Sequence, residues 1–351
     1  MPPHRWDPTC RPPRDLVRPV AVDPHGIDGP TRHEVREHGW RRTTQGFYVP
    51  AGTPTDVPEQ RILEQSLRLP AGGVVTGWAA LRLHGARFFD GLGPDGRTEL
   101  PVPLAVGPGG RIRGSVGVAV SWERLTPDEC LIRQGIPVAT VERALFDAMR
   151  AAGDERGSVI AMDMAAAAGL VSIRRMQVYV EEHRTWRRAA DLPAALLLAS
   201  EHSRSPREVE LRLVWRIDAG LPPVLVNCAV HDLEGRLLGI ADLLDVEAGL
   251  AIEFDGAEHR GAARHTRDVA KDEAFRSRRL EVTRVTGQDL RDRDLVVRRL
   301  IAARGRSAFE APDARPWVPR PPCDDLHDRL VEREERIRLY EQLERDASAP
   351  E

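Results

Sequence analysis

The sequence predicts an α/β protein whose C-terminal part, residues 205–306, runs α-β-β-β-α-β-α behind a mixed region of short strands and helices. Three observations carry that expectation. Residues 224–256 read as three consecutive apolar strands, VLVNCAV, RLLGIADLLD and VEAGLAIEFDG, the first two joined by the turn HDLEG. Before them, Ser205-Pro206-Arg207-Glu208 opens a helix with an N-cap serine, a proline at the first helical position and a glutamate at capping-box spacing. After them, residues 265–279 read as a helix, Glu281-Val282-Thr283-Arg284-Val285 as a short strand, and residues 293–304 as a closing helix.

The strands carry three acids where packing alone would place none: Asp242, Glu253 and Asp255. Side chains alternate along a strand, so Glu253 and Asp255 share one face and Phe254 takes the other. Asp242 lies one hairpin earlier. Carboxylates gathered at the end of a small sheet repel one another and are costly to desolvate, and a divalent cation relieves that cost. Mg²⁺ is usually held by one or two carboxylates together with water and substrate phosphate. Each acid also has a purely structural reading. Glu208 is placed to be the capping partner of Ser205, Asp242 to sit at a strand end, and Asp255-Gly256 to make a turn. Glu253, between Ile252 and Phe254, has no turn role open to it.

The whole chain of 351 residues has a net charge of −3, so no global basic signature marks it for nucleic acid. Locally the balance differs: residues 257–306 hold thirteen arginines and one lysine against eight acids. That lysine, Lys271, is the only one in the chain, and its neighbours suggest a solvated helix face. Cys10, Cys130, Cys228 and Cys323 are scattered without metal-ligand spacing and read as free thiols of a reducing compartment. No stretch approaches the roughly 20 apolar residues of a membrane span. The expectation is a soluble cytoplasmic protein with a disordered, Pro- and Arg-rich segment at residues 1–15.

In residues 16–150, a short helix is expected over residues 31–38, capped by Thr31 with Glu34 at capping-box spacing and ended by Gly39. Trp40-Arg41-Arg42-Thr43 and Gly46-Phe47-Tyr48-Val49-Pro50 follow as two strands. A helix and a β-ribbon are what the end of a winged helix looks like. Arg41 and Arg42 are then candidate DNA contacts, or else an edge charged against aggregation. Trp78, Leu81 and Leu83 read as helix core, and His84-Gly85 as the helix end with a satisfied histidine. Residues 151–204 form an alanine-rich helical connector in which Asp163 reads as a buried acid or, the preferred expectation, as an exposed helix position. Residues 312–351 read as a Pro-rich linker, PDARPWVPRPP, and a highly charged helix with a thin apolar stripe.

Two resemblances add to this. Arg41-Arg42 with Gly46-Phe47-Tyr48-Val49, the helix Val74–Gly85 and the segment Val138-Ala139-Thr140-Val141-Glu142-Arg143-Ala144-Leu145-Phe146-Asp147 resemble the DNA-binding front of AbiEi-type antitoxins. Ser205-Pro206-Arg207-Glu208, Gly239-Ile240-Ala241-Asp242-Leu243-Leu244, Ile252-Glu253-Phe254-Asp255-Gly256-Ala257-Glu258-His259 and Val282-Thr283-Arg284-Val285 resemble the PD-(D/E)XK fold. More narrowly, they are similar to an uncharacterised family related to very-short-patch repair endonucleases. That resemblance implies a restriction-endonuclease-like domain and a Mg²⁺- or Mn²⁺-dependent DNA nuclease. Asp242, Glu253 and Glu208 would be metal ligands, and Asp255 and His259 further catalytic candidates. Arg264, Arg267, Arg276, Arg278 and Arg279 would be phosphate contacts. The departure is Asp255, which stands where the wider fold has lysine; Lys271 is the sole possible replacement. A non-catalytic DNA-binding regulator or antitoxin, and a module docking a cognate toxin, are the rival expectations.

Overall fold

The computed structural model describes residues 16–256, 262–323 and 325–347, with mixed α/β architecture. The chain divides into two compact units. The first comprises residues 1–153, 168–171 and 178–190, and the second comprises residues 154–167, 172–177 and 191–351. Among the described residues, no helix is long and apolar enough to cross a membrane.

The first unit holds β1 (Val20–Ala21), β2 (Trp40–Thr44), β3 (Phe47–Pro50), α1 (Pro58–Ser66), β4 (Val74–Val75), α2 (Gly77–Leu83), β5 (Val102–Ala105), β6 (Val118–Ser121), β7 (Cys130–Arg133), β8 (Ile136–Ala139) and α3 (Val141–Ala152). Strands β1-β3-β2 form a small sheet, and β6-β5-β4-β8-β7 a five-stranded one. The capping box expected at Thr31 and Glu34 is present, with each backbone N–H taken by the other's side chain. It opens only a single 3-10 turn, Glu34–Arg36, rather than a helix to residue 38. Residues of the front segment that resemble the antitoxin motifs have packing roles. Arg143 is fully buried and donates to Asp147 four residues on, and Thr76 Oγ1 donates to the same carboxylate at 2.6 Å. His84 caps the C-terminus of α2 and is buried, with Nε2 2.8 Å from the Ala139 carbonyl. Burial holds its pKa down at about 4, so it is a neutral core histidine.

The second unit continues with α4 (Glu155–Ala167), α5 (Ile173–Glu182, divided between the units), α6 (Leu192–Leu198), α7 (Pro206–Leu213), β9 (Leu225–Asp232), β10 (Leu237–Asp245), β11 (Leu250–Asp255), α8 (Ala262–Ser277), β12 (Glu281–Thr286), α9 (Arg293–Arg306), β13 (Trp317–Arg320) and α10 (Leu326–Ala347). Its sheet has the order β12-β11-β10-β9-β13. β9, β10 and β11 form an antiparallel meander, β12 runs parallel to β11, and β13 is antiparallel to β9. A parallel neighbour needs a crossover, and α8 supplies it. One side of the sheet buries Leu211 and Trp215 with Val296 and Leu300 of α9, and another cluster gathers Phe275 of α8 with Ala251, Val282 and Trp317.

Two expectations change here. The segment containing Trp317 is not a linker: it adds an edge strand to β9, and Trp317 is buried. Asp163 is not exposed. It is fully buried and accepts from Ser200 N (2.8 Å), Ser203 Oγ (2.7 Å) and Arg212 Nη2 (2.6 Å). The connector helix α4 is thereby joined to α7, a link that could not be seen without the partner on α7. An uncompensated buried charge is costly, so Asp163→Ala, which strands Arg212, is expected to lower stability by about 3–5 kcal/mol. Urea unfolding of the variant against the parent checks this, and a change within about 0.5 kcal/mol would contradict it.

Candidate functional site

The site forms where the sheet stops being regular. The β10–β11 ladder ends at Leu243 opposite Ile252. The backbone N–H of Phe254, further along β11, is taken not by a strand carbonyl but by Oδ2 of Asp242 at 2.8 Å. Period two fails on both strands at this level. Leu243 and Val226 join the α9 cluster, whereas Ala241 and Cys228, each two residues away, join the α8 cluster. The residue between Val226 and Cys228 is Asn227, which adopts φ +48°. Left-handed backbone is rare for residues other than glycine, and asparagine is among the few that tolerate it. Asp242 lies inside β10, three residues before its end, so the strand-end reading of this acid is replaced.

Asn227 is buried, and its Nδ2 donates to Glu208 Oε2 (2.9 Å) and to the His202 carbonyl (2.8 Å). Glu208 also caps its own helix: its N–H donates to Ser205 Oγ, while its carboxylate accepts from Ser205 Oγ (3.0 Å) and Arg204 N (3.0 Å). Both structural and electrostatic roles fall to Glu208, since its charge is felt at Asp242. Both Glu208 oxygens accept hydrogen bonds, from Ser205, Arg204 and Asn227. Among the described residues, no group of three or more His, Cys, Asp or Glu side chains is gathered to hold a metal ion.

Glu253 is 4% exposed. Its Oε2 accepts from Nζ of Lys271, and its Oε1 is buried without a hydrogen-bond partner among the described residues. The lysine therefore does not occupy a solvated helix face. From α8 it reaches across β10 and also donates to the Ile240 carbonyl at 3.3 Å. Gly239 makes room for it: a Cβ there would stand 2.6 Å from Lys271 Cγ. Helical pattern alone could not reveal which face of α8 covers the sheet. Asn227 and Lys271 are the functional candidates that the sequence misjudged or missed; the lone lysine of the chain was the available signal.

Burial is the chief cause of the raised pKa of both acids. Asp242, which keeps some exposure, is pushed up to about 6 by burial and then by the charge of Glu208. Glu253 is pushed up to about 8 by burial and then by Asp242, against the opposing pull of Lys271. Asp255, the last residue of β11, is half-buried at the strand end expected for a turn, and its strand partner on β12 is Thr286.

The phosphate-contact candidates divide. Arg41 is held by both oxygens of Glu64, at 3.0 and 2.7 Å, and is not a free contact. Arg42 is exposed. Arg278 pairs with Asp232, and Arg279 with Glu310 and the Ala314 carbonyl, so neither stands at the acids. Arg276 faces Asp272 at 4.0 Å. His259 lies outside the described residues, as do the side chains of Arg264 and Arg267 on α8.

The chain matches no family model, no curated protein and no solved structure.

Both folded-state pKa values lie above the ordinary carboxylate range, so folding favours the protonated acids. Their contribution to stability is complete at low pH and is lost as pH rises through about 6 and then about 8. Metal-free protein is expected to lose stability between pH 5 and pH 9, and Asp242→Asn to recover roughly 1–3 kcal/mol of it at pH 8.5. Urea midpoints measured in EDTA across that range check the sign; a variant less stable than the parent at pH 8.5 would contradict it.

Proposed function

We propose that the chain is a divalent-cation-dependent hydrolase of phosphodiester bonds in DNA, using Mg²⁺ or Mn²⁺ on a restriction-endonuclease-like core at residues 205–306. One observation carries this reading: Asp242 and Glu253 are brought together at the opening of the β10–β11 ladder, and the only lysine of the chain stands on one of them. The meander followed by a parallel fourth strand supports the assignment of the core.

The donor set fits a divalent cation. The unpartnered Oε1 of Glu253 is a buried oxygen in need of a donor or a positive charge, and two carboxylates are within the usual Mg²⁺ complement. When bound, such a cation makes water a stronger nucleophile near neutral pH and offsets charge gathering on the phosphate. Asp242 and Glu253 would hold it. The Phe254 N–H fixes the orientation of Asp242, and Asn227 with Ser205 fixes Glu208, whose charge acts on Asp242. Lys271 supplies an ammonium within the site, the role left open by Asp255 on β11. Arg42 remains available to the DNA backbone.

A second reading, a DNA-binding regulator or antitoxin without catalysis, is favoured by the fact that Glu253 already has an internal counter-charge. One assay separates them. With Mg²⁺ or Mn²⁺, the wild-type protein is expected to cut plasmid, mismatched or single-stranded DNA, and Asp242→Ala or Glu253→Ala to lower the rate by roughly 100-fold or more. Wild-type protein inert with both metals on all three substrates would end the enzyme reading. Retention of DNA binding by that inert protein would favour the regulator.

A further inference from the structure

Lys271 is the only lysine among 351 residues, and arginine supplies every other fixed cation. Its position is built rather than incidental. A glycine inside a strand weakens the strand and often marks a close approach by another group. Gly239 is such a glycine: an added Cβ would meet Lys271 Cγ at 2.6 Å, Cδ at 2.8 Å and Phe275 Cζ at 3.1 Å. The lysine stem thus lies directly on the strand backbone. Its ammonium touches one oxygen of Glu253 and the Ile240 carbonyl, while the other oxygen of Glu253 has no hydrogen-bond partner among the described residues. The side chain of Lys271 is 20% exposed, that of Glu253 5%. The ammonium therefore has a route to solvent that the carboxylate lacks.

These features describe a cation held in place but free to leave. Lysine is a compact charge on a flexible stem, and it can turn away without breaking a bidentate fork of the kind arginine makes. We infer that Lys271 is the resident counter-ion of the Asp242–Glu253 pair, and that a divalent cation binds there by displacing the ammonium from Glu253. This rests on the metal-dependent reading above. An ammonium and a divalent ion against one carboxylate repel each other, so entry of the metal and release of the lysine are one event. The freed ammonium stays tethered across Gly239 beside the carboxylates, where an anionic phosphate oxygen is its natural partner. The site would then present its lysine to the DNA backbone only when the metal is in place.

The test uses Mn²⁺ binding to the full chain at pH 8, measured by calorimetry, with Lys271→Met and Gly239→Ala compared with the parent. Removing the internal competitor is expected to tighten Mn²⁺ binding by about tenfold, the scale of one close charge at a partly exposed site. Gly239→Ala keeps the charge but pushes the stem off the strand, and is expected to tighten binding by a smaller factor. It also decides the matter if Lys271→Met fails to fold by circular dichroism. In parallel, an amine-reactive reagent followed by peptide mass mapping should modify Lys271 faster with saturating Mn²⁺ than without it. Mn²⁺ affinity no tighter in the folded variants, or labelling unchanged by Mn²⁺, would overturn the counter-ion role even if the parent cuts DNA. A parent that neither binds millimolar Mn²⁺ nor cuts would instead remove the metal-dependent reading itself, and this inference with it.

Discussion

Two like charges brought out of water side by side set the terms for everything near them. Asp242 and Glu253 each lose hydration, and a neighbouring carboxylate opposes the ionisation of each: Glu208 that of Asp242, and Asp242 that of Glu253. A sheet would ordinarily fill such positions with valine or isoleucine. Here the surroundings are arranged to tolerate the acids. The ladder opens so that a main-chain N–H can be given to Asp242. Asn227 takes a left-handed conformation and ties Glu208 to the strand. Gly239 gives up its side chain so that a cation from α8 can reach Glu253. Each is unfavourable or neutral for a plain sheet, and together they make sense only around the acids. Local rules that fail together at one place are a mark of function.

Much of the second unit was legible because local chemistry and tertiary structure agree there. The helix start at Ser205 and Pro206, the three strands of the meander, β12 and α9 all lie where apolar period and capping residues put them. The acids were legible for the opposite reason, as charges interrupting apolar strands. What was not legible depends on partners distant in sequence. Asp163 looks like any polar residue on a helix until Arg212 is found beside it. Arg41 looks like a nucleic-acid contact until Glu64 takes both arms of its guanidinium. The 3-10 turn at Glu34–Arg36 has the cap of a helix without its length, because a cap fixes where a turn begins and not how far it continues. The positive φ of Asn227 left no trace beyond the residue type itself.

Charge plays a different part in the first unit. Arg143 and Arg150 are enclosed by Asp147, Glu123 and Glu129, and Tyr179 donates to Glu129. Arg143 also lies over the Trp186 ring at 4.7 Å, and Arg150 over Phe146 at 4.4 Å. Each acid here has an arginine, in contrast to the orphaned oxygen of Glu253. The acids of this network are thus each balanced by an arginine, whereas Glu253 has a single lysine on one oxygen. Buried ion pairs add little net stability, but breaking one is expensive, so such a network fixes one arrangement of its helices over others.

The edge strand β13 carries a consequence for how the molecule is made. Trp317 pairs with Asp232, and Arg320 with Ala229, across more than eighty residues of chain. During synthesis β9 stays without that neighbour until the more than eighty residues that separate it from β13 have been translated. Throughout that interval its free main-chain groups form an open template for another nascent chain. The same strand carries Asn227 near its start and so belongs to the site itself. Correct closure by the late strand protects both the sheet and the residues that order its chemistry, which ties the quality of the site to the timing of folding as well as to its final geometry.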